Sequence, residues 1–145
     1  MEKTYWFEAT VRYDKMHGDG TIKKACEKFL IDAVSYTEAE KRITEEMAPF
    51  ISGDFSVDIA KRKYSEVVTT DTLGADTFYR CKTMFATIDE KTGVEKFTTF
   101  ISLIQAKDFD DAVARLKATF AKAVIDYIIA GVAKTEIAEV YKYKG

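Results

Sequence analysis

Histidine is almost missing from this chain. His17 is the single one, and it stands in a turn-forming stretch, His17-Gly18-Asp19-Gly20. The common hydrolytic mechanisms need a nucleophile, a base and a charge stabiliser converging on one point, and a solvated turn is a poor place for the base. No GxSxG, HExxH or phosphate-cradling glycine loop occurs. Carboxylates are plentiful, but Glu38, Glu40, Glu45, Glu46, Asp110 and Asp111 fall on expected helix surfaces or caps. The expectation is a protein with no catalytic residues and hence not an enzyme.

Cysteine is nearly as scarce. Cys26 and Cys81 are separated by 55 positions, both in apolar-patterned segments, and read as two buried thiols in a reducing compartment. Structural zinc normally takes four ligands, so no metal and no cofactor are expected. A single proline and 13% aromatic residues argue for an ordered chain. Long apolar runs are missing too: the longest apolar neighbourhood, Phe120 to Val132, is broken by Lys122, Asp126 and Gly131. The segment from Met1 to Trp6, acidic at Glu2, does not read as a signal peptide, and none is expected. These features predict a cytoplasmic protein with no membrane partner. A net charge of −2 lacks the basic excess of duplex-binding proteins, which places nucleic acid low among the partners.

What the chain does have is repetition. Ala33, Ala39 and Arg42 meet Ala106, Ala112 and Arg115 at an offset of 73, and Tyr36 meets Phe109. Ala60-Lys61 meets Ala133-Lys134, and Glu66-Val67 meets Glu139-Val140, at the same offset. Ahead of the first turn the best offset is 72, with Trp6-Phe7 against Phe78-Tyr79. The one-residue change falls between Asp14 and Gly20, where a loop absorbs it.

Each copy reads strand, turn, strand, helix, strand. Tyr5, Phe7, Ala9, Val11 and Tyr13 alternate with polar or outward residues, the period of a half-buried strand. Ser35 followed by Glu38 is a capping box, and Asp108 and Asp111 take the same places in the second copy. Ala39, Ile43 and Met47, like Ala112, Leu116 and Phe120, recur at spacing four and give each helix an apolar stripe. Pro49 ends the first helix, and the second is expected to run to about Ile125. The third strands, roughly Phe55 to Val68 and Tyr127 to Tyr141, are long and carry a central lysine, which predicts a bulge or break.

The predicted fold is α+β: a tandem duplication of a β-β-α-β unit. It gives one mostly antiparallel sheet of about six strands with two helices on one face. Ferredoxin-like order is a neighbouring alternative. The chain is expected to be a single domain over 1–145, with repeats at about 4–69 and 77–143.

One basic run stands out. Lys61-Arg62-Lys63-Tyr64 puts three positive charges before an aromatic in a strand-like context, where Lys61 and Lys63 share one face and Arg62 joins Tyr64 on the other. With Arg12 and Trp6, these residues are the candidate ligand-binding set, positive charge for phosphates and a ring to stack on a base. An edge strand guarded by lysines explains the run equally well. The second copy, Lys134-Thr135-Glu136, has lost it.

The stretches YWFEATVRYDK, VSYTEAEKRITEEMAPFISGDF, KRKYSEV and FYRCKTMFATIDEKTG together resemble an uncharacterised domain-of-unknown-function family common in Bacteroidetes and in their phages and mobile elements. The likeness covers nearly the whole chain. It implies a setting: an accessory protein of a bacterial cell, or of the host cytoplasm if phage-encoded, expressed early or with replication or anti-defence genes. No residue role comes with it. The expected function is therefore a non-enzymatic binding protein acting as a homo-oligomer, through sheet edges or the helix-free sheet face. The alternatives are sequestration of a small anionic ligand such as a nucleotide signal, and binding of single-stranded nucleic acid.

Overall fold

The structure is a computed structural model describing residues 3–143, so Met1 and Glu2 lie outside it. Eight strands and two helices follow one another as β1 (Tyr5–Met16), β2 (Ile22–Ala33), α1 (Tyr36–Met47), β3 (Phe55–Arg62), β4 (Glu66–Val68), β5 (Thr77–Ile88), β6 (Glu95–Ala106), α2 (Phe109–Thr119), β7 (Tyr127–Lys134) and β8 (Ile137–Tyr141). The chain falls into two compact units. Among the described residues, unit 1 comprises those up to Lys63 together with those from Ile137 onward, and unit 2 comprises Tyr64–Glu136.

In place of one six-stranded sheet there are two sheets of four, ordered β3-β1-β2-β8 and β4-β6-β5-β7. The difference comes from the third strands. Each breaks at the predicted place, and the piece after the break pairs in the other unit's sheet. In unit 1, β8 runs parallel to β2, with Val140 opposite Leu30 and Tyr141 opposite Ile31. In unit 2, β4 runs parallel to β6, with Val67 opposite Leu103 and Val68 opposite Ile104. All other pairings are antiparallel.

The long hairpins keep strict register, Tyr5 opposite Ala33 through Met16 opposite Ile22, and Thr77 opposite Ala106 through Ile88 opposite Glu95. The second hairpin loop is longer by one residue, where the sequence offset changes. Both loops close on a left-handed glycine, Gly20 at φ 84° and Gly93 at φ 70°. A side chain would be strained in that region, and glycine is not. Asp19 accepts from the Thr21 amide, and Asp89 accepts from the Lys91 amide, fixing each turn.

The helices start as their sequences dictate. The Ser35 hydroxyl accepts from the Glu38 amide at 3.1 Å, and Glu38 reaches back to the Val34 amide at 3.3 Å. Asp108 accepts from the Asp111 amide at 2.8 Å, and Asp111 accepts from the Lys107 amide at 2.9 Å. Such a cap satisfies donors that the first helical turn cannot. Helix α1 stops at Met47, just ahead of Pro49. Helix α2 stops at Thr119, short of the expected Ile125, because the Phe120 amide turns in to the Lys117 and Ala118 carbonyls. The chain must reverse there to set Tyr127 opposite Phe85.

Each helix lays its stripe on its own sheet. Ala39, Ile43 and Met47 bury against Phe7, Ala9, Val11, Phe29 and Ile31 in unit 1. Ala112 and Leu116 bury against Tyr79, Cys81 and Ile104 in unit 2. The alanines carry no side chain beyond Cβ, which lets each helix lie close to the strands. Fully burying one Ile, Leu or Phe contributes about 1.5–3 kcal/mol, so these stripes hold each helix in place. Arg42 adds a tie: its guanidinium donates to the carbonyls of Asp32 and, at 2.8 Å, Lys142. Arg115, the matching residue, donates to Asp111 and to Thr72.

Candidate functional site

A strand alternates its side chains, and this sorts the six predicted binding residues before any contact is considered. On β1 and β3, Phe7, Ala9, Val11, Val57 and Ile59 face the helix. Lys61 shares that face and sets its ammonium 3.7 Å from the centre of the Tyr5 ring. Trp6, Arg12 and Arg62 point to the opposite, outer face. There Trp6 and Arg62 are directly paired neighbours across β1 and β3. The structure thus brings Trp6 and Arg62 together and puts Arg12 six residues further along β1. Lys63 is the last residue of unit 1 and Tyr64 the first of unit 2.

The outer-face cations have carboxylate partners. Arg62 Nε donates to Glu8 at 2.7 Å, Lys28 Nζ lies 3.9 Å from the same carboxylate, and Arg12 pairs with Asp58. Such surface pairs contribute about 0–1 kcal/mol each, so they are easily exchanged. An anion arriving here must still displace Glu8 or Asp58. Toward the hairpin end, a depression of about 660 Å³ is lined by Arg12, Asp14, Lys24, Cys26, Asp54 and Ser56, charges of both signs.

Cys26 corrects the sequence expectation. It is exposed, on the outer face of β2 opposite Arg12, while Cys81 is buried on the helix side of β5; both are free thiols. Burial pushes the Cys81 thiol up to about 11, so it stays protonated at neutral pH. Among the described residues no cluster of His, Cys, Asp or Glu could hold a metal ion. No described helix is long and apolar enough to cross a membrane.

The outer face of unit 2 is chemically different at the same place. Where Arg12 of β1 lies between Cys26 and Ser56, Met84 of β5 lies between Thr99 and Ile128. One pair further along, Asp14 opposite Lys24 becomes Ala86 opposite Phe97. Beyond them comes Ile88. Ile88 is 71% exposed, Ile128 58% and Phe97 48%. Three exposed apolar side chains therefore share one face at the end of the sheet with the half-buried Met84 and Ala86. Reading β1 and β2 against β5 and β6 at the repeat offset would have found this patch, since Arg12 aligns with Met84 and Lys24 with Phe97.

The sequence profile of a family described as Domain of unknown function (DUF4494) matches residues 5–143. The chain belongs to that family. No match was found among curated proteins or among solved structures. The matched span runs from the first residue of β1 to two residues past β8, so both units and both exchanged strands lie within the family's domain.

Proposed function

We propose that this protein is a non-enzymatic binding or accessory protein that works as a homo-oligomer, assembled through the outer face of the unit 2 sheet. The observation that carries this reading is the apolar group of exposed Phe97, Ile128 and Ile88 around the half-buried Met84. Exposed apolar surface gathered on one face marks an interaction site more often than scattered exposure does. A second copy suits it because the middle of the patch, Met84, Phe97 and Ile128, is uncharged, with Glu95 beside Ile88 at its rim: in a twofold contact the same surface meets itself, and like charges at its middle would repel. The charged counterpart in unit 1 has no such capacity. The reading includes a history, in which a β-β-α-β unit was duplicated in tandem and one copy turned to assembly. It also includes a setting, the cytoplasm of a bacterial cell or of a phage's host.

Light scattering after size exclusion tests the assembly. The wild-type protein should run as an oligomer at micromolar concentration, and Ile128→Lys or Phe97→Asp should yield monomer with an unchanged circular-dichroism spectrum. A wild-type protein that is monomeric throughout that range defeats the proposal. An anionic ligand or single strand held by Arg62, Lys63 and Arg12 would instead show as binding lost in Arg62→Ala and steeply weakened by salt.

A further inference from the structure

The two units differ again on the helix side, at the open end of each sheet. In unit 2 this end is filled by Phe85, Phe100, Phe120 and Tyr127, whose ring centres lie 5.2–6.0 Å apart. In unit 1 the places of Phe85, Phe100 and Phe120 are taken by Tyr13, Glu27 and Met47. Glu27 and Met47, slimmer than the phenylalanines at the matching places, leave a groove of about 280 Å³, reaching from β1 and β2 across the end of α1 to β8. That is smaller than the roughly 300–1,000 Å³ of drug-sized pockets, so it suits a compact ligand.

Its walls are aromatic and its charges are all negative. Tyr13, Phe29, Phe50 and Tyr141 supply rings, with Phe29 and Tyr141 5.9 Å apart at 38°. Glu27 accepts the Tyr13 hydroxyl and still has a second carboxylate oxygen. Glu139 lines the groove from β8. The field they make is felt inside: Tyr141 titrates above the ordinary tyrosine range through burial and then the charges of Glu46, Glu139 and Glu27. Among the described residues none of these three carboxylates has a lysine or arginine partner within 4.0 Å.

Ring faces carry partial negative charge and attract cations, most strongly where water is excluded. Anions are repelled by the carboxylates, and a neutral apolar body gains nothing from them. We propose that this groove is a binding site for a small organic ammonium ion, its cation held against Tyr13, Phe29 and Tyr141 and neutralised by Glu27 and Glu139. The site is separate from the outer-face patch of unit 2, so it stands or falls independently of self-association.

Titration of ¹⁵N-labelled protein with tetramethylammonium and n-butylammonium, followed by amide shifts, tests it. Saturable shifts should centre on residues 13, 27, 29 and 139–141, with isobutanol and butyrate at least about tenfold weaker. Glu139→Gln and Tyr141→Leu should each weaken binding by roughly 5- to 30-fold, the range a cation–π contact or a facing charge supports. Tyr141→Phe keeps the ring and should stay within about twofold of wild type; Glu46→Gln, exposed on α1, checks the charge where folding is not at risk. Equal affinity for isobutanol, or shifts centred elsewhere, would overturn the proposal. So would tighter binding of a lysine-containing peptide than of the free amines, which would make the groove a protein-docking site.

Discussion

At their hairpin ends the two units share a backbone and little else. Tyr13 pairs with Ala25 and Phe55 in unit 1, and Phe85 pairs with Thr98 and Tyr127 in the same positions of unit 2. Unit 1 fills the space with a tyrosine–glutamate hydrogen bond and a methionine, and unit 2 with three phenylalanines packed edge to face and a tilted tyrosine. The outer face follows the same order, with charge in unit 1 and apolar surface in unit 2. The lesson is that strand register and helix placement do not depend on how this end is filled. The ends are therefore free to differ, one as a groove and one as a contact surface, while Ala39, Ile43, Ala112 and Leu116 keep the helices in place.

The largest expected break in that symmetry is at Phe120. It touches three other rings, so Phe120→Ala should cost about 3–4 kcal/mol through the lost area and the cavity left. Met47→Ala, its counterpart beside an existing groove, should cost about 2 kcal/mol. Urea unfolding of both variants measures the difference; equal losses would mean the aromatic cluster adds nothing beyond burial.

A smaller contrast lies in the cores. The Thr83 and Ser102 hydroxyls are buried without a hydrogen-bond partner, at places where unit 1 has Val11 and Phe29. A buried orphan hydroxyl costs about 1–3 kcal/mol. Thr83→Val should raise stability by about 1 kcal/mol, and the reverse change Val11→Thr should lower it by a similar amount. No gain in Thr83→Val would show that the hydroxyl has found a partner such as an internal water.

The caps come next. Ser35→Ala and Asp108→Ala should each cost about 1 kcal/mol. Their pH dependence should differ, because Asp111 beside the second cap is held below the ordinary carboxylate range by the Lys107 amide and then by Arg115. A carboxylate whose folded pKa is depressed stabilises fully above its unfolded value of about 4, and loses that contribution as pH falls through the lowered value. Asp111→Asn should therefore flatten the acid limb of the urea midpoint against pH. A limb parallel to wild type would refute this.

Smallest in energy, and simplest to read, is the thiol contrast. Dithionitrobenzoate should label Cys26 in the native protein and reach Cys81 only on unfolding. Two equivalents reacting at once would contradict the burial of Cys81.

Much of this was legible in the chain. The alternation from Tyr5 to Tyr13 gave the strand and its faces, and Ser35–Glu38 with Asp108–Asp111 gave the helix starts. The change of offset at the first turn located the longer loop. The fate of β4 and β8 was not legible. Glu66-Val67-Val68 is too short for its pattern to name a partner, and parallel pairing leaves no turn signal between the strands. Cys26 was misjudged because its apolar character was weighed above its place in the strand period: alternation sets it with Lys24 and Lys28 on the face away from α1. The pairing of Arg62 with Glu8 and Arg12 with Asp58 was hidden, since each pair is brought together only by the β1–β3 register. The groove did leave a trace: Glu27 against Phe100 and Met47 against Phe120 at the repeat offset.

The exchanged strands also impose an order of events on synthesis. Unit 1 has its hairpin, helix and third strand as soon as Arg62 has been made, yet the β2 edge stays uncovered until Ile137–Tyr141 follows. Between those moments the whole of unit 2 emerges, and it can close its own sheet with β4 already in hand. An exposed edge beside Phe29, Leu30 and Ile31 is a template for mispairing, and contacts between distant residues form slowly. The nascent chain is thus most vulnerable to aggregation while its first-made half waits for its last-made strand, and slowing translation across Tyr64–Glu136 would lengthen that wait.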